Sequence, residues 1–126
     1  MKLRIRGNSL RLRLSRSDLA RLIGTGRIEA TIRFTREDDA RLTYALQCSD
    51  TVQEMSLRWR PQEITVLLPA LQASHWAESD QVGISANCHA GDEVLDLLVE
   101  KDFSCLHGTE AENQDAFPNP NRPQIQ

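Results

Sequence analysis

Polar and apolar residues alternate with period two along most of this chain, and twice the alternation gives way to a helical period. Lys2–Arg6 and Leu10–Leu14 alternate strictly, the signature of strands with one buried face. Gly7-Asn8-Ser9 between them supplies turn chemistry, so the pair predicts a hairpin. Ser15 followed by Asp18 resembles a capping box with the shorter acid in place of Glu. Leu19, Leu22 and Ile23 then make one apolar helical face, and Gly24 is suited to end the helix in a left-handed conformation. Ile28, Ala30, Ile32 and Phe34 alternate as a third strand. After the turn Glu37-Asp38-Asp39, Leu42, Tyr44 and Leu46 make a fourth.

The order then repeats. Met55, Leu57 and Trp59 alternate with Ser56, Arg58 and Arg60, Arg60-Pro61-Gln62-Glu63 makes a turn, and Ile64, Val66 and Leu68 follow. Pro69 suits the first position of a helix, where its missing N–H costs nothing. That helix carries Leu71, Ala73, Trp76 and Ala77. Val82, Ile84 and Ala86 predict a strand, Ala90-Gly91-Asp92 a turn, and Leu95, Leu97 and Val99 the last strand. At an offset of 54, Leu3, Arg4, Arg6 and Leu14 fall on the identical Leu57, Arg58, Arg60 and Leu68. Ile28 and Ala30 fall at the same offset on Val82 and Ile84. Two copies of one unit imply a pseudo-symmetric domain rather than a solenoid.

The fold class expected is therefore α+β: a mostly antiparallel sheet or barrel from two copies of a strand-strand-helix-strand-strand unit. The domain spans residues 1–107, with halves at about 1–54 and 55–107. Closure into a barrel or half-barrel would remove exposed strand edges. Residues 108–126 form a polar Pro/Asn-rich tail in which Phe117 is the one candidate anchor.

Composition narrows the picture. No apolar run reaches the roughly 20 residues that cross a bilayer, and arginines interrupt any leader-like stretch near Met1. Three cysteines fit a reducing compartment better than a disulfide framework, so a cytoplasmic location without membrane contact is expected. The net charge of −3 hides an asymmetry. Residues 1–60 hold 13 Lys/Arg against 7 Asp/Glu, a balance of +6, whereas residues 61–126 hold 2 against 11, a balance of −9. Such a split marks either a basic binding surface or two halves that neutralise each other.

The arginines are the leading candidate chemistry. Lys2, Arg4 and Arg6 share one strand face, Arg11 and Arg13 share one on the partner strand, and Arg58 and Arg60 repeat Arg4 and Arg6. Arg33 and Arg41 stand on intermediate strands. Guanidinium forks match phosphate and carboxylate, so a face bearing Arg4, Arg6, Arg11, Arg13, Arg58 and Arg60 could hold a phosphate-bearing small molecule or an acidic protein partner. The plainer readings are a solvated face that discourages edge pairing, or partners for acidic strand residues. An acidic chain with few aromatics argues against specific nucleic-acid binding.

Asp96, Glu100 and Asp102 lie at strand spacing on one face and could hold Mg²⁺ beside a bound phosphate, or simply pair the arginines. Cys88 and His89 are neighbours that point to opposite strand faces, while Cys105 and His107 could share one. These four are the candidate metal ligands, although no Cys-x-x-Cys pair supports a zinc site. Cys105 as nucleophile, with His107 as base and Asp102 orienting it, is the catalytic alternative. No phosphate loop, serine elbow or His-Glu-x-x-His occurs, so no catalytic residue or cofactor is assigned and the balance leans away from an enzyme. Cys48 and Cys88 read as core residues and His75 as structural or surface.

Two stretches resemble a small uncharacterised bacterial family: Lys2-Leu-Arg-Ile-Arg-Gly-Asn-Ser-Leu-Arg-Leu-Arg-Leu14, and Glu100-Lys-Asp-Phe-Ser-Cys-Leu106 followed by Asp115-Ala-Phe-Pro-Asn-Pro120. The resemblance spans nearly the whole chain and brings no activity with it. At the level of fold the chain is also similar to the triphosphate-tunnel enzymes, whose wide eight-stranded antiparallel barrel is built from a duplicated strand–helix–three-strand unit. The order matches after a circular shift. That resemblance implies a tunnel lined by phosphate-binding arginines and metal-assisted phosphohydrolysis, but the family's Glu-x-Glu-x-Lys strand motif is absent here. The function expected is thus a binding or accessory module for an anion or acidic partner. The alternatives are a tunnel-type phosphohydrolase or a thiol/metal site around Cys105.

Overall fold

Strict alternation over short segments, broken by two helical stretches, yields the expected element order. A computed structural model describes residues 1–103 and 114–118. The chain runs β1 (Lys2–Arg6), β2 (Ser9–Leu14), α1 (Arg16–Thr25), β3 (Arg27–Arg33), β4 (Arg41–Ser49), β5 (Ser56–Arg60), β6 (Glu63–Pro69), α2 (Ala70–Glu78), β7 (Gly83–Ala90) and β8 (Glu93–Lys101).

The strands do not close into a barrel. They form two four-stranded mixed sheets, ordered β1-β2-β8-β7 and β3-β4-β6-β5. The four hairpins are antiparallel, but the middle of each sheet is a parallel pair, β2 with β8 and β4 with β6. The reason lies in the helices. Each helix carries its half from one sheet to the other, so each sheet takes one hairpin from each half. Between the sheets β5 and β7 touch, and Cys88 Sγ donates to the Met55 carbonyl at 3.7 Å, but that contact is no strand ladder.

Pairing registers align the two halves residue by residue. Leu12 matches Val66, the offset of 54 seen in the sequence. Their parallel partners are Val99 and Leu46, so Leu46 matches Val99 at an offset of 53. Ile28 pairs with Leu46 and Ile84 with Val99, so Ile28 matches Ile84 at an offset of 56. The single ungapped offset, which set Ile28 against Val82, therefore fails after the helices. β3 begins directly after Gly26, whereas Ser79–Val82 intervene before β7, and Val82 is 49% exposed ahead of the strand.

The core lies between the inner faces of the sheets and one face of each helix. Leu12, Leu14, Leu22, Leu46, Val66, Leu68, Trp76, Leu97 and Val99 are all but fully buried there. The Ser15 hydroxyl accepts from the Asp18 N–H and the Asp18 carboxylate accepts from the Ser15 N–H, which completes the capping box of α1. The helix ends one turn-fragment later than Gly24 suggested. Gly26, at φ 84°, is the left-handed cap, and its N–H donates to the Leu22 carbonyl. Pro69 closes β6 and stands just ahead of α2, which starts at Ala70. Leu71 is 89% exposed. Two residues turn about 200° around a helix, so Leu71 cannot share the face of Ala73 and Trp76.

Candidate functional site

Alternation sends Leu10, Leu12 and Leu14 of β2 inward and Arg11 and Arg13 outward. The register then builds rows across the outer face of the first sheet: Lys2–Arg13–Glu100, Arg4–Arg11–Leu98 and Arg6–Ser9–Asp96. Cations thus stand directly opposite cations on β1 and β2, an arrangement that is unfavourable without counter-charge. One end receives it. Arg13 Nε donates to Glu100 Oε1 at 2.6 Å, Arg11 Nε lies 3.7 Å from the same oxygen, and Lys2 Nζ sits 2.9 Å from Asp102 Oδ2. At the other end, Arg4 and Arg6 make no ion pair among the described residues. They flank a hollow of about 370 Å³ with Ile5, Ser9 and Arg11.

Arg58 and Arg60 are not on that face. Although they match Arg4 and Arg6 in the duplication, β5 belongs to the second sheet, so the six arginines divide four and two. On the second sheet two of the five strand arginines, Arg27 and Arg58, have carboxylate partners among the described residues. Arg27 Nη2 meets Glu29 at 2.9 Å and Glu63 at 3.0 Å, and Arg58 Nη2 lies 4.0 Å from Glu63. The Thr65 hydroxyl donates to Glu63 beneath them at 3.0 Å. Hydrogen bonds from Arg27 and Thr65 hold the Glu63 carboxyl below its usual range. Arg33 and Arg41 face each other across β3 and β4.

Cys88 and His89 diverge as their adjacency requires: the half-buried Cys88 packs against the core and His89 is exposed. Cys105 and His107 lie outside the described residues. Among the described residues, no three His, Cys, Asp or Glu side chains gather closely enough to share a metal ion. Cys48 is half-buried against the core; burial, with Asp50 adding to it, pushes its thiol pKa up.

Phe117, the candidate anchor of the tail, is docked, and beside it lies a buried lysine that the sequence reading did not single out. Residues 114–118 strap across the end of the first sheet. The Arg16 N–H donates to the Asp115 carbonyl at 2.9 Å, the Ser17 N–H to Asp115 Oδ1 at 3.1 Å, and the Phe117 N–H to the Asp102 carbonyl at 2.9 Å. Phe117 packs edge-on against Phe103, ring centroids 6.3 Å apart. Under the strap Lys101 is buried, its Nζ donating to the Ser79 carbonyl at 2.7 Å and lying 5.3 Å from the Phe117 ring centre. Burial pushes the Lys101 pKa down, opposed by a weaker pull from Asp80. The signal was present in the sequence: Lys101 continues the inward series Leu95, Leu97, Val99, where an apolar residue is expected.

Fold and face together define a duplicated α+β protein with a basic outer sheet surface and a strapped, lysine-bearing end. The chain belongs to a family of unknown function, DUF7009, whose family model matches residues 1–121. Neither the curated proteins nor the solved structures include a significant match, and nothing among these comparisons links the chain to the triphosphate-tunnel enzymes. No helix among the described residues is long and apolar enough to cross a membrane.

Proposed function

We propose that this protein is a binding or accessory module that holds an anion, a phosphate-bearing small molecule or an acidic protein surface, against the outer face of its first sheet. Arg4, Arg6, Arg11 and Arg13 carry the binding. The observation that supports this most is the opposed pair Arg4 and Arg11 beside Arg6, with the ion pairs of this face gathered at the Arg13 end. An anion in the hollow would relieve that repulsion and gain charge-assisted hydrogen bonds. Arg58 and Arg60 would meet an anion separately, on the other sheet.

Thermal unfolding with orthophosphate, pyrophosphate, triphosphate and a polyglutamate peptide, at low and moderate salt, tests the reading. A ligand that binds the native state raises its melting temperature by mass action, and a surface ionic site loses that effect as salt rises. A shift for the phosphates identifies a small-molecule site, and a shift for the peptide alone identifies an acidic partner. Absence of any shift at low ionic strength overturns the proposal.

A further inference from the structure

The end of β8 breaks the rule that the rest of the strand keeps. Leu97 and Val99 fill the core, and the next inward position holds Lys101, 7% exposed. Its equivalent in the first half is Cys48, and the comparison explains part of its presence. In the first half Gly26 closes α1 by turning left-handed. α2 has no such glycine: Ser79 at its C-terminal end is extended, and the Lys101 ammonium takes up the free Ser79 carbonyl instead. A cation at a helix C-terminus is favourably placed.

That contact uses one of three ammonium donors. Lys101 also lines a cavity of about 630 Å³, together with Arg16, Asp80, Val82, Phe103 and Phe117. This volume suits a small organic ligand. The charges on its walls are Lys101 and Arg16 against Asp80, leaving one net positive charge, and the remaining surface includes two aromatic rings. In the first half Cys48 and Gly26 stand in place of Lys101 and Val82. The strap supplies Phe117, so the cavity depends on Asp115 holding residues 114–118 against the start of α1.

We propose that this cavity binds a small organic carboxylate, its charged end against Lys101 Nζ and the Arg16 guanidinium and its apolar body on Phe103 and Phe117. The site is separate from the arginine face and does not depend on it.

Titration of the full chain with phenylacetate, followed by amide NMR, tests this. Saturable shifts at Lys101, Phe103 and Phe117, with a dissociation constant of about 1 mM or tighter, are expected. Neutral phenylacetamide should bind at least roughly fivefold more weakly, and orthophosphate, lacking the apolar body, should leave these resonances unmoved. Arg16→Gln should weaken phenylacetate several-fold and Asp80→Asn should tighten it, while the double variant Arg4→Ser/Arg6→Ser leaves it unchanged. Lys101→Met should abolish binding; should it unfold the protein, Arg16 and Asp80, both exposed, carry the test. Unsaturable shifts, equal binding of the amide, or indifference to both Arg16→Gln and Asp80→Asn overturn the proposal.

Discussion

Trp76 occupies in the second half the place that Leu22 occupies in the first, and both are fully buried. Three residues earlier the exchange runs the other way, with Ala73 standing where Leu19 stands. A Leu–Leu pair on α1 thus becomes an Ala–Trp pair on α2, which conserves volume at each helix face. Trp76→Leu alone should cost about 2–3 kcal/mol, combining a cavity with loss of the 3.2 Å bond from Nε1 to the Val82 carbonyl. Adding Ala73→Leu should recover about 1 kcal/mol, a coupling that urea unfolding of the four species in the cycle would measure.

Gly83 admits no side chain. A Cβ there would lie 2.6 Å from the Val99 carbonyl oxygen, a backbone atom that cannot step aside. Gly83→Ala should destabilise by about 1–3 kcal/mol through overpacking. Gly26→Ala meets no neighbour but must hold φ 84°, and should cost about 1 kcal/mol for that reason alone. Chemical denaturation of both variants would show both losses.

Asp18 contributes to acid sensitivity. Burial raises its pKa, but the hydrogen bond and charge of the Met1 ammonium, 2.7 Å away, together with the Ser15 N–H and Arg21, outweigh burial and bring it from 3.8 to about 2. A carboxyl whose pKa is lowered on folding contributes stability that is complete above its unfolded value and is lost as pH falls through the folded one. The contribution, on the order of 2 kcal/mol, should therefore persist above about pH 4 and vanish by about pH 2. Asp18→Asn should flatten the stability profile in that window, as melting temperatures from pH 2 to 6 would reveal.

Glu100 pairs with Arg11 and Arg13, so on the proposed anion site it would compete with the ligand. Glu100→Gln should strengthen triphosphate binding roughly three- to tenfold, and Arg4→Ser/Arg6→Ser should weaken it by a similar factor. Isothermal titration at low salt would check both. Equal affinities in all three proteins would refute a role for this face.

The sequence carried the element order because each strand has one buried face and each helix one apolar stripe, patterns that local spacing encodes. Pairing between halves is not local. Nothing in the alternation of Leu10, Leu12 and Leu14 says that Leu97 and Val99 lie beside them in parallel, so a closed antiparallel ring was an equally consistent reading. The arginines were legible as an outward set on each strand. Their division between two sheets followed from the same hidden pairing. Phe117 was legible as the tail's anchor, whereas Lys101 was the hardest to find, because a lysine amid an apolar series acquires meaning only once Ser79 and Phe117 are brought to it from distant parts of the chain.

The parallel pairing of Ser9 with Asp96 and of Leu14 with Lys101 has a consequence for synthesis. Loop-closure entropy must be met before such distant contacts return anything, which slows folding. At translation rates of roughly 5–20 residues per second, the first hairpin emerges some 4–17 s before the strand that completes its sheet. Through that interval β2 offers an open edge, and the arginines of β1 and β2 keep the nascent hairpin charged and averse to its own kind until β8 arrives.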